Sequence, residues 1–511
     1  MKRIFTLVAW LAATLGASAT DYQDRLQVTV NGVSTIQQAT ISVVQQENGL
    51  YTLTLKNFVL EAGESSMGVG NITLSNIEGK SSDGRTLIVA RQDINITEGD
   101  RADVAVWAGP MLGPIPVDLT AVLTDDELYT VIDIDMQASL QQTIKVIFGT
   151  GGYQIRNSDF ETFHTVAEKY EEPNAWHSFE SASGQFAPLA GHHLESSTEV
   201  RPGSAGTKSV RLYATSLFGI IANGTMTTGR MNAGSMSAED KVNCAYLDMS
   251  SDKKDANDDP FYSRLNGKPD SIAVWVKFKQ GKAVADHPYA TMSASITDGT
   301  YYQDPEDKEY SNVAAKASYN TIATNGEQWQ RISAPFTYYR NGVTPKAILV
   351  TLSTNADAGK GSNGDEMLVD DLELIYNARL ASLRINGQAV EGFNPDQTDY
   401  TLSQQAPTSA SDIEASPDGA GATVSTTVTT EGETTKAVVT VTSGDLVNKT
   451  VYTLVFNNVA TESIGNATHA AAATTLRRYN LSGQPVATPR QGTVVIEQRS
   501  DGTTRKIARE K

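Results

Sequence analysis

From Leu26 to Met136, apolar side chains recur at every second position in short runs. These are Leu26/Val28/Val30, Tyr51/Leu53/Leu55, Val117/Leu119/Ala121/Leu123 and Ile132/Ile134/Met136. A period of two fits a strand that buries one face, and no helix can satisfy it. Turn pairs such as Asn31-Gly32, Asn48-Gly49 and Asp83-Gly84 separate the runs, as expected of antiparallel neighbours. About eight strands at this spacing predict an up-and-down barrel, whose closure removes exposed sheet edges. A cluster of Pro110, Pro114 and Pro116 beside Trp107 reads as a loop capping one end.

The same strand grammar continues with longer loops. Asn157 to Glu161, Lys208 to Leu212, Ser271 to Phe278, Trp329 to Phe336, Ala347 to Leu352 and Leu368 to Leu374 all read as strands. A chain of 511 residues is too long for one core, and roughly three or four domains is the expectation from length. The whole is expected to be all-β. Its net charge of −18 excludes nucleic acid and anionic lipid as natural partners.

Met1 to Ala19 reads as a secretory signal peptide, with Lys2 and Arg3 before an apolar run from Ile4 to Leu15 and a small-residue cleavage site at Ala17-Ser18-Ala19. No segment is long and apolar enough for a transmembrane helix. Cys244 is the only cysteine, so no internal disulfide is expected, and its apolar neighbours make it a small buried hydrophobe.

The runs Tyr51 to Phe58 and Val69-Gly70-Asn71-Ile72 resemble the bacterial calycin-like family. That resemblance implies a lipocalin-like barrel over 20–151, either filled by its own side chains or carrying a small apolar ligand. The strand order of 152–378 resembles the putative carbohydrate metabolism domain of exported bacterial proteins, on Ala222-Asn223-Gly224, Asp259-Pro260-Phe261 and Val369-Asp370-Asp371-Leu372. It implies a jelly-roll sandwich akin to carbohydrate-binding modules. Leu383 to Gly387, Phe393-Asn394-Pro395 and Val451 to Phe456 resemble cadherin-like or immunoglobulin-like modules, which places a spacer at 379–457. An Ala/Thr-rich linker (458–475) follows. The tail 476–511, opening Tyr479-Asn480-Leu481-Ser482-Gly483, is similar to type IX secretion sorting domains, with Pro485 where a basic residue is usual. Together these imply an exported or cell-surface protein.

A sugar site needs a flat aromatic face for ring C–H groups and polar groups for hydroxyls. In Ser271 to Phe278, Ile272, Val274, Val276 and Phe278 share one face, so Trp275 points away from the core. It is either a glycan platform or covered by a loop or the neighbouring barrel. The loop Asp298 to Tyr310 gathers Tyr301, Tyr302 and Tyr310 with the carboxylate of Asp304, and such rim loops carry function or merely solvate.

Glu161 and the Asp370-Asp371 pair lie on the first and last strands of the central region. If those strands meet, the carboxylates repel unless a cation separates them. The likeness to carbohydrate-binding sandwiches implies a structural Ca2+ there, with Glu161 and either Asp370 or Asp371 as ligands. Alternation puts the two aspartates on opposite faces, so only one is expected to reach it. Asp255 to Asp259 begins like an EF-hand loop, but Pro260 and Asn266 stand where Gly and Glu are required.

The histidines show no zinc-binding spacing. His192 and His193 are adjacent and point apart, and His177 beside Trp176 reads as a packed loop residue. With 59 Asp and Glu residues, a glycosidase pair cannot be selected from spacing. The expectation is a non-catalytic binder of a glycan or surface polysaccharide. The alternatives are an adhesin contacting other surface proteins, a glycoside hydrolase, and a carrier working through the barrel.

Overall fold

The alternating runs at the start of the chain form one antiparallel sheet of nine strands. They are β1 (Ala19–Val30), β2 (Val33–Gln45), β3 (Tyr51–Ala62), β4 (Ser65–Ile77), β5 (Gly79–Ser82), β6 (Arg85–Ile94), β7 (Ile115–Leu123), β8 (Leu128–Met136) and β9 (Gln142–Phe148). The computed structural model describes residues 19–62, 65–82, 84–432, 434–457, 475–500 and 502–508. The expected signal peptide and the Ala/Thr-rich linker lie, but for Ala19 and Thr475, outside the described residues.

The sheet order is β4-β3-β2-β1-β9-β8-β7-β6-β5, so the first and last strands are neighbours at its centre. The sheet curls, leaving β4 and β5 as its edges. The segment between β6 and β7 spans that gap. Asn71 and Thr97 exchange backbone hydrogen bonds of 2.8 and 3.1 Å, and the Ala108 amide donates to Gly68 O at 2.8 Å. Gly70 makes this approach possible: its φ is +124°, and a Cβ there would stand 2.2 Å from Thr97 O. Leu26, Leu53, Ile88 and Leu119 fill the interior. The remaining lumen is an apolar space of about 60 Å3, smaller than any lipid ligand requires.

The central region is a two-layer sandwich. One sheet has five strands in the order Leu194–Ser197, Ser209–Tyr213, Glu366–Ile375, Ser271–Lys279, Gln330–Pro335. The second runs Thr225–Thr227, Ala347–Ser353, Ala290–Thr297, Val313–Ile322, Thr337–Tyr338, with Ser263–Arg264 also paired to Ala347–Ser353. Ile272, Val274, Val276 and Phe278 of the first sheet and Met292, Ala294, Ile348 and Val350 of the second form one core. The opening and closing segments meet at the rim: the Leu372 amide donates to Ser158 O at 2.8 Å, and Phe160 and Leu372 share that core. Trp176 is fully buried, 5.3 Å from Phe160, and donates its indole N–H to Arg156 O. It is a plug.

Tyr129 and Val131 of β8 belong to the sandwich core rather than the barrel interior, so the first half of β8 is buried on both faces. The Tyr129 hydroxyl donates to Asp445 O at 2.8 Å, in the next module. That module has a three-stranded sheet (Leu380–Ile385, Gln388–Ala389, Ile413–Pro417) and a four-stranded one (Asp399–Leu402, Thr423–Glu431, Thr434–Thr442, Lys449–Asn457). The Leu380 amide donates to the Tyr452 hydroxyl and links the two sheets.

Among the described residues, a second compact unit takes in parts of Leu402–Ala406, Thr430–Thr435 and the chain from Phe456 onward. Its sheet pairs Thr475–Tyr479, Val494–Arg499 and Thr504–Ala508. The basic tail is partly neutralised there, because buried Glu497 pairs with Arg478 at 2.6 Å and Arg505 at 3.2 Å.

Candidate functional site

The strand Ala290–Thr297 alternates apolar residues with hydroxyls. Met292, Ala294 and Ile296 enter the core, which turns Thr291, Ser293 and Ser295 to the outer face of the six-stranded sheet. Register extends the pattern sideways. Ser318, Ser293, Thr351 and Thr227 stand opposite one another across four strands. Thr291, Ser353 and Thr225 form a parallel row. Short side chains leave this face low, and a cavity of about 900 Å3 stands over it.

The walls come from loops. The hairpin Thr215–Leu217/Ile220–Ala222 supplies an apolar side with Phe179, Phe186 and Leu189. Its turn residues, Phe218 and Gly219, have φ of 51° and 81°, and the Phe218 ring is 79 % exposed. Tyr302, Asp304 and Lys316 also line the cavity, as do His287 and Asp357, the latter held beside the hairpin by Asn223. Ser293 donates to Asp304 at 2.8 Å, and Ser295 to the Tyr302 hydroxyl at 3.0 Å. Lys316 is paired with Glu306 at 2.6 Å, and His287 with Asp357 at 2.7 Å. Cys244 also lines the space. Burial pushes its thiol up to about 11, which leaves it unreactive at neutral pH.

The expected sugar-binding residues are divided by the fold. Tyr302 and Asp304 line the cavity, while Tyr301 and Tyr310 pack within the loop itself. Their rings lie 6.4 Å apart, and the Tyr310 hydroxyl donates to Asp307 at 2.7 Å. Trp275 stands on the other sheet, half-buried, with the Arg201 guanidinium 5.4 Å from its ring. Trp275 and the 298–310 loop therefore do not form one platform. The hydroxyl floor was not foreseen, although the outward Ser and Thr residues of 290–297 are its signal.

The strand-end carboxylates gather around Arg201. Asp371, with φ of 43°, sits in a bulge opposite the stretch from Ala273 to Trp275. That extra residue breaks the expected alternation, and both aspartates turn to the same loop. Asp370 accepts the Arg201 amide at 2.9 Å, and Asp371 accepts the guanidinium at 2.5 Å. Glu161 is held by the Thr207 and Lys208 amides at 2.9 Å. The cation beside the aspartate pair is thus a guanidinium. Asp370 is fully buried. Burial, reinforced by Asp371 and offset in part by Arg201, pushes its carboxyl up to about 7.

Residues 19–151 match the calycin-like beta-barrel domain family, in agreement with the resemblance seen in Tyr51 to Phe58. No curated protein matches the chain. Among solved structures, one titled a putative glycoside hydrolase from Bacteroides thetaiotaomicron is 13 % identical with a TM-score of 0.34, over 62 % of this chain and 92 % of that one. The glycoside hydrolase domain of Endo-D from Streptococcus pneumoniae is 9 % identical with a TM-score of 0.19, over 52 % of this chain and 36 % of the other. At these scores neither likeness carries a functional argument.

Proposed function

We propose that the protein binds carbohydrate on the outer face of the six-stranded sheet. The observation that supports this reading most directly is the pair of hydroxyl rows beneath the cavity. Sugar hydroxyls both donate and accept, and Ser, Thr and Asn side chains do the same at short range without the cost of burying a charge. The apolar hairpin wall offers surface for the C–H faces of a ring. A space of about 900 Å3 is large enough for a short oligosaccharide rather than a single small metabolite. Asp304 sets polar specificity at one side. The role is binding, and the expected setting is the cell exterior, reached through the signal sequence at Met1 to Ala19.

The test is a glycan-array screen of the full chain beside Ser318→Tyr. Ser318 is exposed on the cavity floor, so a larger ring there fills the space without touching the core. Retention of a defined glycan class by the natural chain, lost at least tenfold in the variant with unchanged melting temperature, supports the reading. Equal retention by both chains removes this face as the site. Reducing ends released from any polysaccharide by the natural chain would make the protein a hydrolase instead.

A further inference from the structure

His164 and His177 are thirteen positions apart, a spacing with no metal-binding signature. The fold brings both to Asp255. His164 lies in the strand Phe163–Val166, paired with Tyr170–Pro173, which carries Glu172. His177 follows, held by backbone bonds to Thr227, and Asp255 comes from the long loop after Asp248.

Ligand atoms of His164, Glu172 and Asp255 lie within 4.8 Å of one another. Asp255 Oδ2 is 3.5 Å from His164 Nε2 and 3.3 Å from His177 Nε2. Glu172 and His177 are fully buried, and the His164 and Asp255 side chains are 8 % and 0 % exposed.

Each of the three has its outer atom fixed and its inner atom left over. His164 Nδ1 is 3.1 Å from Asn174 Oδ1, and donating there leaves the Nε2 lone pair pointing inward. Glu172 Oε1 accepts the Ser178 amide and hydroxyl and the Ser181 hydroxyl, at 2.6, 2.5 and 3.1 Å. Asp255 Oδ1 accepts the amides of Asn257 and Asp259 at 2.9 and 2.8 Å. The inner atoms, His164 Nε2, Glu172 Oε2 and Asp255 Oδ2, have no hydrogen-bond partner among the described residues, and neither has His177 Nε2. Buried polar atoms are rarely left so, and two carboxylates this close repel unless a cation lies between them.

We propose that His164, Glu172 and Asp255 hold a divalent transition-metal ion, Zn2+ fitting best, with His177 packed beside Asp255. One imidazole and two carboxylates suit Zn2+ and disfavour Ca2+ or Mg2+, which take oxygen alone. Tetrahedral bonds of ~2.0–2.1 Å set ligand atoms ~3.4 Å apart, and the His164–Asp255 separation of 3.5 Å sits near that value. Outer partners of the kind supplied by Asn174, Ser178 and Ser181 are what orient ligands at such centres. The three donors come from two paired strands and a loop and are almost wholly buried, so the ion is structural and clamps the 248–262 loop to the strand pair at 163–173. This loop was excluded as a calcium site because Pro260 and Asn266 break the EF-hand pattern. Asp255 serves here with an imidazole instead, and Asp259 turns to Arg156 at 3.2 Å.

The experiment uses the full chain, stripped with chelator and then titrated with Zn2+ alone. One ion per chain, a melting temperature raised by several degrees, and loss of both effects in Asp255→Asn and His164→Gln are expected. No binding, or binding unchanged in both variants, overturns the proposal. Since either variant could fail to fold, crystals of the natural chain grown with Zn2+ give a second reading at the zinc edge. An anomalous peak between His164 and Asp255 supports the site, and a peak only elsewhere overturns it.

Discussion

Asp370 stands directly across the sheet from Trp275, their α-carbons paired, and Arg201 reaches both, its amide on the carboxylate and its guanidinium over the indole. The buried carboxyl holds its proton to about pH 7, whereas an exposed aspartate loses it near 3.8. Between those values the folded chain binds the extra proton, so stability falls as pH rises through the window and levels above it. Asp370→Asn removes that dependence. It is expected to stabilise the chain by about 2 kcal/mol at pH 8, allowing for screening by Arg201 and water, and to change little at pH 4. Denaturation midpoints at the two pH values check this, and a parallel pH profile in both proteins would refute it.

Trp275→Ala acts on the same pair from the other side. Losing a half-buried ring costs about 1–2 kcal/mol of apolar burial, but it also lets water reach Asp370 and relieves the charged form. The variant should therefore lose more stability at pH 5 than at pH 8. Glycan retention should not change, since Trp275 lies on the sheet opposite the cavity. A selective loss of binding would return the site to the five-stranded sheet.

The period-two pattern made the all-β class and the inward faces legible, because alternation alone decides which side of a strand is buried. The meeting of Phe160 with Leu372 follows instead from the sandwich expected of 152–378, which brings its opening and closing segments together. What could not be read depends on register and insertion. One bulge at Asp371 turned both aspartates to Arg201, and the cross-strand alignment of Ser318, Ser293 and Thr351 appears only once strands distant in sequence are paired. Tyr129 and Val131, which join the sandwich core, lie outside the alternation read in Ile132, Ile134 and Met136. His164 and His177 carried no sequence signal, since their approach to Asp255 depends on a long loop folding back.

Tyr301 and Tyr302 are neighbours with different duties. Tyr302 is 1 % exposed, and its hydroxyl accepts from Ser295, itself buried. Tyr302→Phe leaves the Ser295 hydroxyl without that partner and is expected to cost about 1–2 kcal/mol. Tyr301, 47 % exposed, donates to Gln303 Oε1 at 2.8 Å, but water can reach that site, so Phe there is expected to cost less, about 0.5 kcal/mol. Chemical denaturation of the two variants side by side distinguishes them, and equal losses would contradict the burial difference.

Phe218 offers a sharper separation of stability from function. A bulky residue at φ of 51° is in a left-handed conformation that costs roughly 1–2 kcal/mol outside glycine, and the ring gains little burial in return. Phe218→Gly relieves the backbone and should raise stability by up to about 1 kcal/mol. The same change deletes the exposed ring at the tip of the hairpin that walls the cavity. If that ring stacks on bound sugar, retention should weaken by about 1 kcal/mol or more, roughly fivefold to tenfold. Phe218→Trp should keep the binding and the strain together. Measuring melting temperature and glycan affinity in both variants checks the argument, and a glycine variant that binds as well as the natural chain would show the strained ring to be no part of the site.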